Sequence, residues 1–189
     1  MQTQTQQSLT YKYKLNIESK GVKNMSLAEI PADIEKIKRS QYLTYLDTTP
    51  SGNSRAWAVV GVGVDEYATE YNPQVDTEKW IIEDNARNDH TSNQKQGSVT
   101  QKCYKNDPAF EFVAAGRDQL NYKTHILDID TWNGTGTTTV SYPAKMSDGL
   151  VAVTSYSGEE IEYDLYYDGD PVEGTVTITD GVPTFTPTI

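Results

Sequence analysis

The chain has one cysteine, Cys103, and two histidines, His90 and His125, among its 189 residues. A single cysteine excludes an intramolecular disulfide framework and fits folding in a reducing compartment. Two scattered histidines and one cysteine also give no metal-ligand spacing. No run of eighteen apolar residues occurs, so no stretch reads as a membrane-spanning helix. The N-terminal MQTQTQQSLTYKYKLN lacks the apolar core of a secretory leader. Basic residues are scarce, 16 Lys and Arg against 27 Asp and Glu, for a net charge of −11. Phosphate affinity comes mainly from Lys and Arg displacing counterions, so this balance argues against gripping nucleic acid. It does not argue against surrounding nucleic acid. Phenylalanine is rare, 3 against 13 tyrosines, which favours half-buried sheet surface where a ring packs and its hydroxyl stays wet. A hydrophobic content of 36% is thin for a multilayered α/β enzyme but workable for a sandwich with wet outer faces. The length fits one domain.

What is present is mostly strand periodicity. Gln41 to Asp47 alternates, the cluster 48–53 turns, and Trp57 to Val64 alternates again with Gly61-Val62-Gly63 placed in mid-strand. That glycine pair lacks the third glycine and the following helix of a dinucleotide fingerprint and reads as a bulge or close backbone approach. Asn121 to Trp132 is a strand, and Thr137 to Tyr142 a broken one. Asp148-Gly149 is expected to turn into a firm strand, Leu150 to Tyr156. Glu160 to Tyr167 alternates, with Asp168-Gly169-Asp170-Pro171 read as a turn. Gly174–Thr179 and Val182–Thr186 form a hairpin through Asp180-Gly181. Short strands separated by frequent turns indicate a mainly β chain, a β-sandwich of two antiparallel sheets.

The stretch from Trp80 to Leu120 departs from this rhythm. Trp80-Ile81-Ile82 reads as a short strand, and Glu83 to Gly97 is a polar run whose sole apolar residue is Ala86. Ser98 to Tyr104 alternates. Asp107 suits a helix N-cap and Pro108 the first helical position, with Phe110, Val113 and Ala114 at helical spacing and Gly116 as the stop. The expectation is one short flanking helix and one long exposed arm. Arms of that length in a compact domain serve a function or lack order. Docking on a neighbouring subunit through Arg87, Asn88, Asp89, His90 and Asn93 is one reading; a plain surface loop is the other.

This stretch, together with KIKRSQYLTYLDTTPSG before it and YDLYYDGDPVEGTVTITDGVPTFTP after it, resembles the major tail tube protein of long, non-contractile tailed bacteriophages infecting Gram-positive hosts. The resemblance runs from about Ile37 to the C-terminus and carries no chemical motif. It implies a β-sandwich with one flanking helix, homo-hexameric rings, and rings stacked into a tube through which DNA leaves the virion. It also implies assembly in the bacterial host cytoplasm and contact with other tail proteins, the tape measure and the tail terminator.

Residues 1–24 are polar, Gln-rich and locally basic, unlike the rest. They read as a disordered extension that orders on assembly or one that is never translated, with the start at Met25. Lys20-Gly21-Val22 can be encoded by AAAGGAGUN, which contains a ribosome-binding sequence at a suitable distance. Residues 25–38 form an N-terminal arm with mild helical spacing broken by Pro31, and 39–189 the sandwich domain.

The sequence gives weak grounds for catalysis. Cys103, His125 and Asp128 or Asp130 can be drawn as nucleophile, base and orienter, but Cys103 alternates with Val99 on an apolar-leaning face, where cysteine acts as a small hydrophobe. No catalytic residue, metal or cofactor is expected. Glu160, Glu162 and Asp164 place three carboxylates on one strand face, where they repel each other. Such a stripe is either a solvated sheet face or the wall of a channel. Six copies around a ring would repel passing double-stranded DNA evenly, without specific binding. The competing class is a carbohydrate- or surface-binding sandwich module using Trp57, Trp80 and Trp132 as stacking rings.

Overall fold

The computed structural model describes residues 34–52 and 54–188. Ile37–Ile189 form one compact unit; before it, only residues 34–36 are described. The extension 1–24 and most of the arm 25–38 therefore lie outside the described residues. No helix among those residues is long and apolar enough to cross a membrane.

The fold is mainly β with one helix. Its strands are β1 (Tyr42–Asp47), β2 (Trp57–Val59), β3 (Val64–Glu70), β4 (Pro73–Glu78), β5 (Arg87–Asn93), β6 (Gln96–Lys102), β7 (Tyr122–Asp130), β8 (Ser141–Tyr156), β9 (Glu160–Thr179) and β10 (Val182–Pro187). The helix, α1, is Pro108–Ala115. Eight strands make one antiparallel sheet in the order β2-β1-β7-β8-β9-β6-β3, with β10 on the second half of β9. The other sheet is the two-stranded hairpin β4–β5. The sandwich-like layers are thus continuous through β8 and β9, long strands whose halves serve different neighbours. The first half of β9 pairs with β6, and the second half with β10.

Two clusters of buried side chains lie on opposite faces of β1 and β7. Leu46 and Ile126 pack with Val99, Val151, Ile161, Tyr163 and Leu165, under the layer formed by β6, β8 and β9. Tyr45, Leu127 and Ile129 pack with Ala144 and Val176, and Trp57 and Phe185 close that cluster where β10 comes alongside β2. A strand buried on both faces shows no clean alternation, and Thr44 to Asp47 and Ile126 to Ile129 are buried without interruption.

The helix forms as its sequence dictates. Asp107 caps it by accepting from the Ala109 N–H at 3.1 Å, Pro108 opens it, and Gly116 closes it. Burial pushes the Asp107 carboxyl up, against the lowering effect of hydrogen bonds from Ala109, Phe110 and Gln101. Gln101 Nε2 donates to Asp107 at 2.8 Å, and Tyr163 OH donates to Gln101 Oε1 at 3.1 Å, so a buried polar chain ties helix to sheet.

Four sequence expectations change. Trp80-Ile81-Ile82 is a turn, not a strand, because it has no partner strand and no core to face. Gly61-Val62-Gly63 is the turn between β2 and β3, not mid-strand; Gly63 has φ +68, and a Cβ there would meet the Lys102 carbonyl oxygen at 2.8 Å. Asp148-Gly149 does not turn the chain but lies inside β8. Its glycine serves close packing, since a Cβ would stand 2.4 Å from the Tyr166 carbonyl oxygen. Asp168 to Pro171 is a bulge within β9, where the ladder passes from Asp148↔Asp168 to Met146↔Val172. The Asp180-Gly181 turn is as expected, with φ +51 and +81 matching the primed turn that a two-residue hairpin needs.

Candidate functional site: a projecting hairpin, its root and an acidic sheet face

The polar run is a hairpin. β4 and β5 pair from Pro73↔Asn93 to Glu78↔Arg87, and every residue of both strands is exposed. The hairpin follows the β3–β6 pair, whose ladder ends at Glu70↔Gln96, so it projects from the edge of the main sheet. Its strands bury nothing in this chain, and isolated two-stranded hairpins are marginal in water. At the tip, Trp80 is half exposed and Ile81 and Ile82 almost wholly so.

The five proposed arm residues all lie on β5. Arg87 pairs with Glu83, its guanidinium also 4.3 Å from the centre of the Trp80 ring. The Asn88 side-chain oxygen accepts from Thr77 at 2.9 Å. Asp89 stands opposite Asp76, a like-charge pair that weakens the ladder. His90 Nε2 lies 2.9 Å from Asn93 Oδ1 and 3.1 Å from the Ser92 carbonyl oxygen. Their partners are within the hairpin. The apolar tip, read from sequence as a strand, was not among the candidate site residues. Its signal was three large apolar residues bounded by Lys79 and Glu83 with no alternation.

At the hairpin root lies a cleft of about 870 Å³, lined by Tyr42, Tyr71, Lys95, Asp128, Asp130 and Tyr167 among others. Asp128, on β7, is its hub. It accepts from Lys95 Nζ at 2.6 Å and from Thr44 Oγ1 at 2.8 Å, with the Tyr167 hydroxyl at 3.4 Å. Burial first, and then the Asp128 charge, push the Tyr42 and Tyr167 hydroxyls far above the ordinary phenol value. Asp130 is pushed up by burial and by Asp128, against Lys145 and Lys95.

The acidic stripe faces outward. On β9, Glu160, Glu162 and Asp164 alternate with the buried Ile161, Tyr163 and Leu165. Pairing brings Lys102, Thr100 and Ser98 of β6 beside them, and Glu66 of β3 opposite Thr100. Ser98 donates to Asp164 at 2.8 Å, and Lys102 bonds Asp65 at 2.9 Å. The stripe is therefore part of a wider face to which β3 adds Glu66, a contribution hidden from sequence because β3 was not recognised.

The drawn catalytic triad is not assembled. His125 Nδ1 lies 2.9 Å from Asp47 Oδ2 and its Nε2 3.4 Å from Asp148 Oδ1, while Asp128 holds Lys95. Cys103 packs against the core, and burial and Glu160 push its thiol up, away from the thiolate a nucleophile needs. Among the described residues no three His, Cys, Asp or Glu converge to hold a metal ion. The three tryptophans do not form a platform. Trp57 lines a cleft beside β10, Trp80 is at the hairpin tip, and Trp132 packs on Tyr42 at 6.4 Å. No family model matches the chain, and no curated protein matches it.

Proposed function

We propose that this protein is a structural virion component, the tail tube subunit of a long-tailed bacteriophage, which assembles into homo-hexameric rings stacked as a tube. Its activity is assembly and passive conduction of double-stranded DNA, without a catalytic residue. The observation that carries this reading is the projecting hairpin. An all-exposed pair of strands ending in Trp80, Ile81 and Ile82 has no use for its apolar tip until another copy covers it. Each such side chain gains about 1.5–3 kcal/mol on full burial, so seating the tip supplies several kcal/mol per contact. Head-to-tail contacts of this kind use two different patches on each subunit, and they close into rings or extend as filaments. The acidic face bearing Glu66, Glu160, Glu162 and Asp164 suits a bore that repels DNA instead of holding it. By the same resemblance the subunit meets the tape measure and tail terminator proteins, is built in the host cytoplasm and resides in the virion tail.

Negative-stain imaging of concentrated protein is the test. Rings or tubes are expected, and protein that stays monomeric at all concentrations overturns the reading. A carbohydrate-binding module remains the second reading, favoured by the root cleft, where the rings of Tyr42, Tyr71 and Tyr167 accompany Asp128 and Asp130. A strict monomer with glycan affinity would decide for it.

A further inference from the structure

The hairpin is joined to the body through an interruption in its ladder. Between Glu70↔Gln96 and Pro73↔Asn93 there is no regular pairing. Asn72 adopts a left-handed φ of +42, and the joint is bridged by Gln94 N–H to the Asn72 carbonyl at 3.4 Å and Asn72 Nδ2 to the Gln94 carbonyl at 3.2 Å. Long hydrogen bonds at an interrupted ladder hold direction poorly. Within the same interruption, Lys95 turns inward. Its ammonium meets Asp128 at 2.6 Å, 3.8 Å above the Tyr167 ring and 5.7 Å from the Tyr71 ring. Its carbonyl accepts from the Tyr167 N–H at 3.2 Å. The other leg is tied to the same hub. Tyr67 of β3 shares a hydrogen bond of 3.1 Å with the Tyr167 hydroxyl, and Thr44, 3.4 Å from Tyr67, donates to Asp128.

We propose that Lys95 is a positioning residue, a clamp on Asp128 that sets the direction in which the β4–β5 hairpin leaves the sheet. The pair is largely out of water, its side chains 19% and 7% exposed. Buried ion pairs of this kind add little net stability over apolar replacements of similar volume, so folding alone gives little reason for one here. Its location does. One partner stands at the joint and the other on β7, a strand buried on both faces, so the contact converts a swivel into a fixed bracket. The clamp follows from the geometry alone; its consequence for assembly rests on the ring-building role proposed above, because a tip reaches its receiving surface only from one direction.

The test measures direction in the free, full-length protein. In a Cys103→Ser background, nitroxide labels are placed through Asp84→Cys near the tip and Asp118→Cys after the helix, and the distance distribution is read by pulsed electron resonance. Lys95→Met with Asp128→Leu removes both charges and leaves neither buried alone. Its distribution is expected to broaden roughly twofold or more, as for a body released at a hinge, while the melting temperature stays within a few degrees. Asp128→Asn, which keeps an oxygen for Thr44 and Tyr167 but drops the charge, is expected to broaden it by less and serves if the double variant does not fold. An unchanged width in the folded variants overturns the clamp. Wild-type protein that never assembles would sink the tube reading and leave the clamp intact, whereas lost assembly with unchanged width would sink the clamp alone.

Discussion

Asp130 shows how a single carboxyl can work against the fold. Burial and the neighbouring Asp128 charge raise its pKa in the folded state. Between the ordinary carboxylate value and that raised one, the native state binds more protons than the unfolded chain, so its stability falls as pH rises through this window. Asp130→Asn is therefore expected to raise the melting temperature at pH 7 and to change it little at pH 3, where the carboxyl is protonated in both states. Thermal melts followed by circular dichroism at the two pH values check the sign; solvent screening keeps the effect modest. Gly149 gives the opposite case. A Cβ there meets the Tyr166 carbonyl oxygen at 2.4 Å and Ile126 Cδ1 at 2.8 Å. Gly149→Ala should cost about 1–3 kcal/mol, the usual range for overpacking, visible as a lowered denaturation midpoint. From sequence this glycine looked like a turn, because Asp-Gly signals local chain reversal and says nothing about a strand crossing close by.

At the scale of elements, the proposed ring-building role of the hairpin can be tested apart from folding. Ile81→Asp with Ile82→Asp touches no core, so monomer stability should stay within about 0.5 kcal/mol while assembly is lost. Sedimentation velocity beside thermal melting measures both, and intact rings in this variant would remove the tip from the interface. Protease should cut wild-type monomer at 79–86 and spare it once assembled. The sequence marked this segment as special through its polarity, yet concealed its two strands. RNDHTSN has no apolar alternation because neither face is buried, and its ladder is held by backbone groups that every residue carries. The helix was legible for the opposite reason: Asp107, Pro108 and Gly116 act through local geometry that needs no distant partner.

For the whole molecule, the acidic face carries the test. Glu66→Lys, Glu162→Lys and Asp164→Lys together should give the assembled protein measurable affinity for double-stranded DNA at low salt, fading as salt rises. In a phage background they should slow DNA ejection. Unchanged infectivity and no DNA retention would remove this face from the wall of the proposed tube.

The sequence alone determined the class of the fold, the boundaries of the helix, the Asp180-Gly181 hairpin and the outward acidic alternation on β9. Each of these is written in neighbours a few residues apart, through capping, turn geometry or period-two burial. Only the tertiary structure decided that β8 and β9 run unbroken past Gly149 and Gly169, that Lys95 meets Asp128 across 33 positions of sequence, and that Trp80 to Ile82 form a tip. Those features depend on which strand lies beside which, and strand pairing is settled by the burial of the whole chain, a quantity no short window of residues contains.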